Sequence, residues 1–430
     1  MTSLLTCPWF MGGIAFVVGT LLGRLANRCI DVFPRYEALG DQLRAIWTFS
    51  PHENVLRKAR SWFHWLPVVG WLLPENPLAP PRDRRRYAAI ELANGLLLAL
   101  LVWSQTPSEI AFGPHGNVIG YPVPFAVEGW EILAPSYGLD AWLFRFLLHG
   151  LLIEALLIAS VIDLKLMIIP DGSTIPAMLL AVIISGLAGN AWLVPLWYEH
   201  TGLVAALSGS MANVGFGEIV VPGWIADYPH AHGLLVSLAG LLVGGGTIWA
   251  VRIVGHWALG REAMGFGDVV LMALIGGVIG WQPVLVVFFL APICAIVVVC
   301  FSFLTGRARE FPYGPWLSLA AVLLLVGWQW IWPVAGQFFM LGRFVPVLGF
   351  GCLLLLGVLL RGMRLLRGDE AYEEEYWELA EQWTSADQLI YQEQEQRDAG
   401  PTTWQGRQQS RWPGLESSRG RHGEQIWRGR

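Results

Sequence analysis

Long apolar segments recur along almost the whole chain, and polar residues gather in the stretches between them. An apolar run of about 18 residues or more predicts a helix that crosses a membrane. The candidate segments are 9–29, 87–103, 141–162, 175–196, 233–259, 269–281, 283–304, 316–332 and 344–360. The pattern therefore predicts an all-α polytopic membrane protein with about nine transmembrane helices. Segment 269–281 is short for a full span, which suggests a thinned or re-entrant element.

Composition supports a membrane protein over a set of soluble domains. Hydrophobic residues make up 54% of the chain and charged residues only 14%, against about 25% charged residues in ordinary soluble domains. The 23 tryptophans suit a protein with two membrane interfaces. We therefore expect membrane lipids around the chain and no nucleic acid as a partner.

The basic residues between the segments predict the orientation, because Lys and Arg gather in cytoplasmic loops. The stretch 34–86 carries nine Lys and Arg residues, whereas 104–140 and 195–232 carry none. Only Arg145 and Arg343 lie near the opposite side. The pattern places the N-terminus outside and the C-terminus in the cytoplasm. The first apolar segment has no basic residue before it and is expected to be an uncleaved span.

Two acidic residues stand where apolar segments meet the cytoplasmic boundary. Asp268 follows the turn Gly265-Phe266-Gly267 directly, and Asp163 lies at the end of segment 141–162. Ionisable residues inside or beside a span are costly and are functional candidates. Asp268 alone is equally consistent with an N-cap at a helix start.

A third aspartate competes with Asp163 for the first place in this pair. Asp171 follows Ile169-Pro170, and we expect it to cap the helix that begins near Ser173. The sequence favours Asp163 and leaves Asp171 as the alternative.

The ordered set of motifs resembles the intramembrane aspartic peptidases that process type IV prepilins. The resembling elements are Gly23 to Asn27, Pro34, Leu66 to Leu72, Arg86-Tyr87, Glu91 to Gly95, Ile162 to Asp171, Arg261 to Asp268 and Phe311 to Pro315. They cover most of residues 10–330 in the order of that family. One departure is Val270, where the family often has a lysine.

The resemblance implies a reaction and a substrate. Asp163 and Asp268 would share one proton, one activating water while the other polarises the scissile carbonyl, and which is the base stays open. Gly265 and Gly267 would let the substrate backbone approach. The substrates would be type IV prepilins or pseudopilins, the location the bacterial inner membrane, and proteolysis would need no cofactor.

The N-terminal module departs from the resembling enzymes, which carry two Cys-x-x-Cys pairs and also methylate the new N-terminus with S-adenosylmethionine. The five cysteines, at positions 7, 29, 294, 300 and 352, form no such pair, and 34–86 contains none. We therefore expect no metal site and no zinc. Loss of methylation and a zinc-free loop that still methylates both remain open, and S-adenosylmethionine is expected only in the second case.

The resemblance also divides the chain. We expect an N-terminal module at 1–104 with a cytoplasmic loop at 34–86, a peptidase membrane domain at 105–332, and an extra transmembrane helix at 333–367. The remainder, 368–430, is expected to be a cytoplasmic polar tail. It begins with an acidic run that has helical spacing and then becomes rich in Gln, Arg and Gly.

Other features of the sequence, and two other functions, compete with this interpretation. Gly215-Phe216-Gly217-Glu218 mimics the glycine–acid turn but falls in an outer loop, and His230 and His232 lack further ligands at metal spacing. All are expected to be structural. A transporter could use the same acidic pair, but internal repeats are not evident. A non-catalytic scaffold of an export machine would tolerate loss of either aspartate.

Overall fold

The computed structural model describes residues 8–36, 38–48, 66–68, 70, 84–105, 139–207, 219–259, 264–304 and 312–367. Several sequence-based predictions fall outside these ranges. They are the Gly215–Glu218 turn, most of the loop 34–86, residues 106–138 of the loop 104–140, and the tail 368–430.

The described part of the chain is almost entirely helical. Its helices are α1 (Pro8–Val32), α2 (Leu39–Trp47), α3 (Arg84–Gln105), α4 (Leu139–Leu166), α5 (Asp171–Ala188), α6 (Thr201–Leu207), α7 (Trp224–Asp227), α8 (Pro229–Leu259), α9 (Phe266–Ile279), α10 (Trp281–Leu304), α11 (Gly314–Val326), α12 (Trp328–Phe339) and α13 (Phe344–Arg367). A 3-10 turn, Phe33–Arg35, follows α1. Two short strands, β1 (Glu199–His200) and β2 (Ile219–Val220), pair antiparallel with Glu199 opposite Val220.

Seven of the described helices are long and apolar enough to cross a membrane, or eight if the bent pair α11 and α12 forms one span. The prediction of a polytopic, helical membrane protein is therefore confirmed. Helix α9 spans only 14 residues, about 21 Å at 1.5 Å per residue, and falls short of the roughly 30 Å hydrocarbon core. The count of nine spans and the orientation stay predictions.

Helix α9 lies at the centre of the bundle, in contact with α4, α5, α8, α10 and α11. Every residue from Leu271 to Ile279 is buried. A helix that is apolar on all sides is stable when other helices surround it. Because protein rather than lipid covers it, α9 can be shorter than a full span and can carry a carboxylate at its start.

Glycines bring α8 and α9 into backbone contact. A Cβ atom at Gly240 would lie 1.9 Å from the carbonyl oxygen of Gly276, and a Cβ at Gly244 would lie 2.3 Å from that of Met272. The hydroxyl of Ser237 donates a 2.6 Å hydrogen bond to the Gly277 carbonyl. Small residues at helix contacts are a common solution in membranes. The contact fixes α9, and with it the residue at its start, against the long helix α8.

Two predicted segments were wrong in their extent. Segment 175–196 ends as a helix at Ala188, because Gly189 takes a positive φ of 69° that terminates helices readily. Segment 316–332 is not one straight helix: α11 and α12 meet at Gly327 at an angle of 101°. The continuous apolar pattern of this segment carried no sign of the bend.

The end of the bundle away from α9's first turn is rich in aromatic contacts. The rings of Trp328 and Trp332 stack at 4.6 Å, and those of Trp332 and Phe339 at 5.7 Å. His232, which is fully buried, accepts a 2.9 Å hydrogen bond at Nε2 from the Leu196 backbone N–H. His230 Nδ1 lies 3.1 Å from the Gly186 carbonyl oxygen. These contacts give both histidines the structural role that the sequence suggested.

Helices α1 and α3 pack against each other, and both contact α4. Glu91 of α3, which is fully buried, binds the guanidinium of Arg24 at 3.1 Å and the backbone N–H of Val68 at 2.5 Å. Asn94 donates to Glu154 of α4 at 2.6 Å. Ionic and amide contacts of this kind replace unpaired polar groups inside the membrane.

Candidate active site

The structure brings the carboxylates of Asp163 and Asp268 together. Asp163 lies in the last turn of α4, and Asp268 lies in the first turn of α9. The two side chains are buried, with 4% and 9% of their surface exposed, and they interact electrostatically. Helices α4 and α9 thus each contribute one carboxylate to a buried acidic pair.

Asp268 is held by the turn that precedes it. The N-cap of α9 is Gly265, so Asp268 is the third residue of the helix and not the N-cap that was one expectation for it. Its carboxylate accepts a hydrogen bond from the backbone N–H of Gly265. An acidic residue at this position commonly reaches back to the N-cap N–H. The Gly-Phe-Gly turn therefore orients the Asp268 carboxylate directly.

Asp163 is held by a turn much later in the chain. The backbone N–H of Gly314, at the start of α11, donates a hydrogen bond to its carboxylate. A Cβ atom at position 314 would lie 2.5 Å from Asp163 Oδ2. Only glycine lets the α11 backbone approach the carboxylate this closely.

Ile169 lies between the two turns. It belongs to the link between α4 and α5, which leaves α4 at Met167 with a positive φ of 54°, a strained value for a residue with a side chain. A Cβ atom at Gly267 would lie 3.1 Å from Ile169 Cβ, and one at Gly314 would lie 3.2 Å from Ile169 Cδ1. The side chain of Ile169 therefore sets the spacing between the turns that hold the two aspartates.

Tyr313 precedes α11 and faces the same site. Burial, and then the charge of Asp268, raise the pKa of Tyr313 to about 12. Its hydroxyl therefore stays protonated across the ordinary pH range and can act as a hydrogen-bond donor beside Asp268.

Asp171 has a different setting from the pair. It is exposed and is the first residue of α5, whose N-cap is Pro170. The prediction that Asp171 caps a helix beginning near Ser173 is therefore wrong: the helix begins at Asp171. The Asp171 carboxylate lies in the first turn, where the helix dipole favours a negative charge. Asp171 is not brought into the buried site.

Gly265 and Gly267 were predicted to let the substrate backbone approach, and the structure gives the two glycines different surroundings. Gly265 is exposed, and only Asp268 Oδ2, at 3.8 Å, lies near its Cβ direction. The missing side chain of Gly267 instead makes room for Ile169. Substrate approach over Gly265 stays a prediction.

Metal ligands are not grouped in the part of the chain that the structure describes. No three His, Cys, Asp or Glu side chains come together there as a candidate metal site. The stretch 34–86 contains no cysteine in the sequence itself. The zinc-free N-terminal module stays a prediction.

Comparison with known proteins identifies the site-bearing region. The sequence model of the type IV leader peptidase family matches residues 150–300. Residues 150–300 of this chain are therefore similar in sequence to that family. The match includes Asp163, the link to α5, the glycine turn and Asp268, so the region that carries the acidic pair is the region that defines the family.

Individual relatives extend this similarity beyond the matched domain. A prepilin leader peptidase/N-methyltransferase of Klebsiella pneumoniae is 25% identical over 285 residues, which is 64% of this chain and 88% of the relative. The protein of that name in Pectobacterium carotovorum subsp. carotovorum is 25% identical over 244 residues, 55% of this chain and 71% of the relative. No solved structure matches this chain.

Sequence reasoning missed several residues of this site. Gly314 and Ile169 carry no chemistry of their own, so only the structure shows that they hold and space the aspartates. Tyr313 is recognisable in the sequence only as part of the turn Phe311 to Pro315, and its side chain has no predicted role. The turn Pro312-Tyr313-Gly314 at the start of α11 was the one feature of the sequence that could have pointed to these residues.

Proposed function

We propose that this protein is an intramembrane aspartic endopeptidase that removes the leader peptide of type IV prepilins or pseudopilins at the cytoplasmic face of the bacterial inner membrane. The observation that carries the proposal is the buried pair Asp163 and Asp268, each held by a backbone N–H from a glycine turn. The relatives of Klebsiella pneumoniae and Pectobacterium carotovorum subsp. carotovorum are prepilin leader peptidases, which supplies the substrate class.

The reaction follows from the chemistry of two adjacent carboxyl groups. Such a pair is most stable with one shared proton. The ionised group takes a proton from water as the water oxygen attacks the scissile carbonyl carbon, while the protonated group donates its proton to the carbonyl oxygen. The tetrahedral intermediate then loses the amine, which leaves with a proton from the first group. As the carbonyl re-forms, the hydroxyl proton on its oxygen returns to the second group. The pair ends with one proton, as it began.

The protein's contribution is to fix this pair before the substrate arrives. Gly265 and Gly314 donate to the carboxylates from helix starts, where N–H groups lack partners within the helix. Preorganised groups need no reorientation during the reaction. The Tyr313 hydroxyl, protonated throughout the working pH range, is placed to donate beside Asp268.

Charge and exposure around the site support a hydrophobic substrate segment that is reached from the cytoplasm. Leu164 and Phe266, which adjoin the two aspartates in sequence, are 52% and 56% exposed. They offer apolar contacts to a membrane-embedded stem. Lys165 follows Asp163 at the end of α4, and Arg252 lies over the Phe266 ring at 5.9 Å. Basic residues at this end favour the cytoplasmic side.

The direct test is to co-express the full chain with a type IV prepilin and to follow leader removal by gel mobility and mass. The proposal expects the leader to be removed at one site. A prepilin that stays intact in the presence of inserted, folded protein would contradict it.

A further inference from the structure

A buried glutamine in the N-terminal segment binds the link between the two site-forming helices. Gln42 belongs to α2, and 5% of its surface is exposed. Its Oε1 accepts a 2.6 Å hydrogen bond from the backbone N–H of Gly172, and its Nε2 donates to the Tyr36 carbonyl at 2.8 Å. Both ends of the amide are therefore used.

The contact supplies what the start of α5 lacks. The first N–H groups of a helix have no partner within the helix, and Pro170, the N-cap of α5, makes no side-chain cap hydrogen bond. The hydroxyls of Ser173 and Thr174 turn back to the Pro170 carbonyl, at 3.0 and 3.3 Å. The buried Gly172 N–H is left to Gln42, which caps α5 from a distant part of the chain.

Helix α2 is itself anchored to α1. The guanidinium of Arg28 donates to the carbonyls of Ala45 and Thr48, at 3.2 and 2.7 Å. Phe33, which is 2% exposed, packs its ring where a Cβ at Gly172 would lie, 3.1 Å away. Gln42 thus connects α5 to a helix that is itself held in place by α1.

The consequence reaches the aspartates through Ile169. Gly172 lies three residues after Ile169, and the contacts of Ile169 set the spacing between the turns at Gly267 and Gly314. If the start of α5 moves, Ile169 moves with it. The distance between the turns at Gly267 and Gly314, which hold the two carboxylates, is then no longer fixed. Displacements of about 1 Å in an active site lower rates by about 100-fold.

We propose that Gln42 is a positioning residue for peptide cleavage: by capping α5 it fixes the 167–170 link and, through Ile169, the geometry of Asp163 and Asp268. This inference rests on the proposed peptidase function, and it assigns the N-terminal segment an indirect, supporting part in the peptidase site. Gln42 does not touch the reacting atoms.

The test compares Gln42→Met, Gln42→Glu and Arg44→Gln in the full chain, with kcat and KM for a prepilin and thermal stability measured for each. Met keeps the size of Gln42 but has no acceptor oxygen, and Glu keeps the acceptor. Arg44, exposed on the same helix, provides the control. We expect Gln42→Met to lower kcat by about tenfold or more with KM little changed, and Gln42→Glu to retain most of kcat. Equal losses in the Met and Glu variants, or a wild-type kcat for Gln42→Met, would overturn the proposal.

A double variant isolates the contact. A Cβ at Gly172 would lie 2.5 Å from Gln42 Oε1, so Gly172→Ala displaces the amide and breaks the same hydrogen bond. It also brings the Cβ to 3.1 Å from the Phe33 ring, a contact that Gln42→Met does not change. We expect the loss of kcat in Gln42→Met/Gly172→Ala to be clearly smaller than the product of the two single losses, since both changes remove one interaction. Multiplicative losses would show that the two residues act separately and would overturn the proposal.

Hydrogen exchange separates this inference from the proposed function. In Gln42→Met, peptides covering 164–172 should exchange about tenfold faster than in the wild type, while Arg44→Gln leaves them unchanged. This measurement needs no substrate. If the wild type fails to cleave a prepilin, the peptidase proposal falls, and the exchange rates still decide whether Gln42 fixes the link. Unchanged exchange in Gln42→Met would overturn the positioning role.

Discussion

The backbone N–H of Gly314 donates a hydrogen bond to the carboxylate of Asp163, and the carboxylate lies so close that position 314 has no room for a side chain. The start of α11 therefore forms one wall of the acidic site. The contact connects the turn at 311–315 to Asp163. It explains why a glycine is needed at position 314.

Substitution Gly314→Ala tests that wall. The added Cβ would lie 2.5 Å from Asp163 Oδ2, and the carboxylate can avoid it only by rotating away from its hydrogen bond. We expect kcat for leader removal to fall by about 10- to 100-fold with little change in thermal stability. Gly246→Ala is the matched control, because a Cβ there meets nothing within 4 Å. A wild-type kcat in Gly314→Ala would refute the close approach.

Gly240→Ala tests the packing that places Asp268. Its Cβ would lie 1.9 Å from the Gly276 carbonyl oxygen, and this backbone atom cannot move without shifting α9. We expect the variant to lose about 1–3 kcal/mol of stability or more, seen as a lower melting temperature in detergent. Gly246→Ala on the same helix should melt within about 1 °C of the wild type. Equal melting temperatures for both variants would contradict the backbone contact.

Much of the fold could be predicted because the membrane demands long apolar runs. Each of the nine predicted segments overlaps a helix, and the position of α9 as a short element agrees with its 14 residues. The bend at Gly327 and the end of α5 at Gly189 were missed, since the apolar pattern continues through both positions. Backbone angles, and not hydropathy, end these helices.

The site was predictable only in its side-chain chemistry. Asp163 and Asp268 stand out because carboxylates are rare beside apolar segments. Gly314, Ile169 and Gln42 act through backbone contacts and packing between distant parts of the chain, for which a single sequence gives no spacing rule. Their roles depend on the way α2, α5 and α11 converge.

The orientation of the chain can be tested with reporter fusions. The distribution of Lys and Arg predicts that fusions after Ser108 and Asp227 report outside and that fusions after Arg60 and Arg367 report the cytoplasm. Alkaline phosphatase and a fluorescent protein provide complementary readouts. A cytoplasmic signal after Asp227 would unsettle both the orientation and the placement of the Gly215–Glu218 turn in an outer loop.

The N-terminal module is expected to work without zinc. Because 34–86 contains no cysteine, we predict that the purified full chain binds much less than one zinc per molecule, measured by elemental analysis. Stoichiometric zinc would contradict this prediction.

Methylation is a separate question that the same preparation can answer. The mass of the processed pilin's N-terminus, with S-adenosylmethionine supplied, distinguishes the two open cases. A gain of one methyl group indicates a bifunctional, zinc-free enzyme. An unmethylated product indicates that the module serves only the peptidase.

The acidic pair is tested most directly by leader removal in three isosteric variants. The full chain and its Asp163→Asn, Asp268→Asn and Asp171→Asn forms are reconstituted in lipid, shown to be folded, and assayed with the same prepilin. Because Asn cannot exchange the proton, we predict that Asp163→Asn and Asp268→Asn each lose at least about 100-fold in rate, while Asp171→Asn retains appreciable activity. Normal cleavage by Asp163→Asn, together with its loss in Asp171→Asn, would contradict the assignment of the pair.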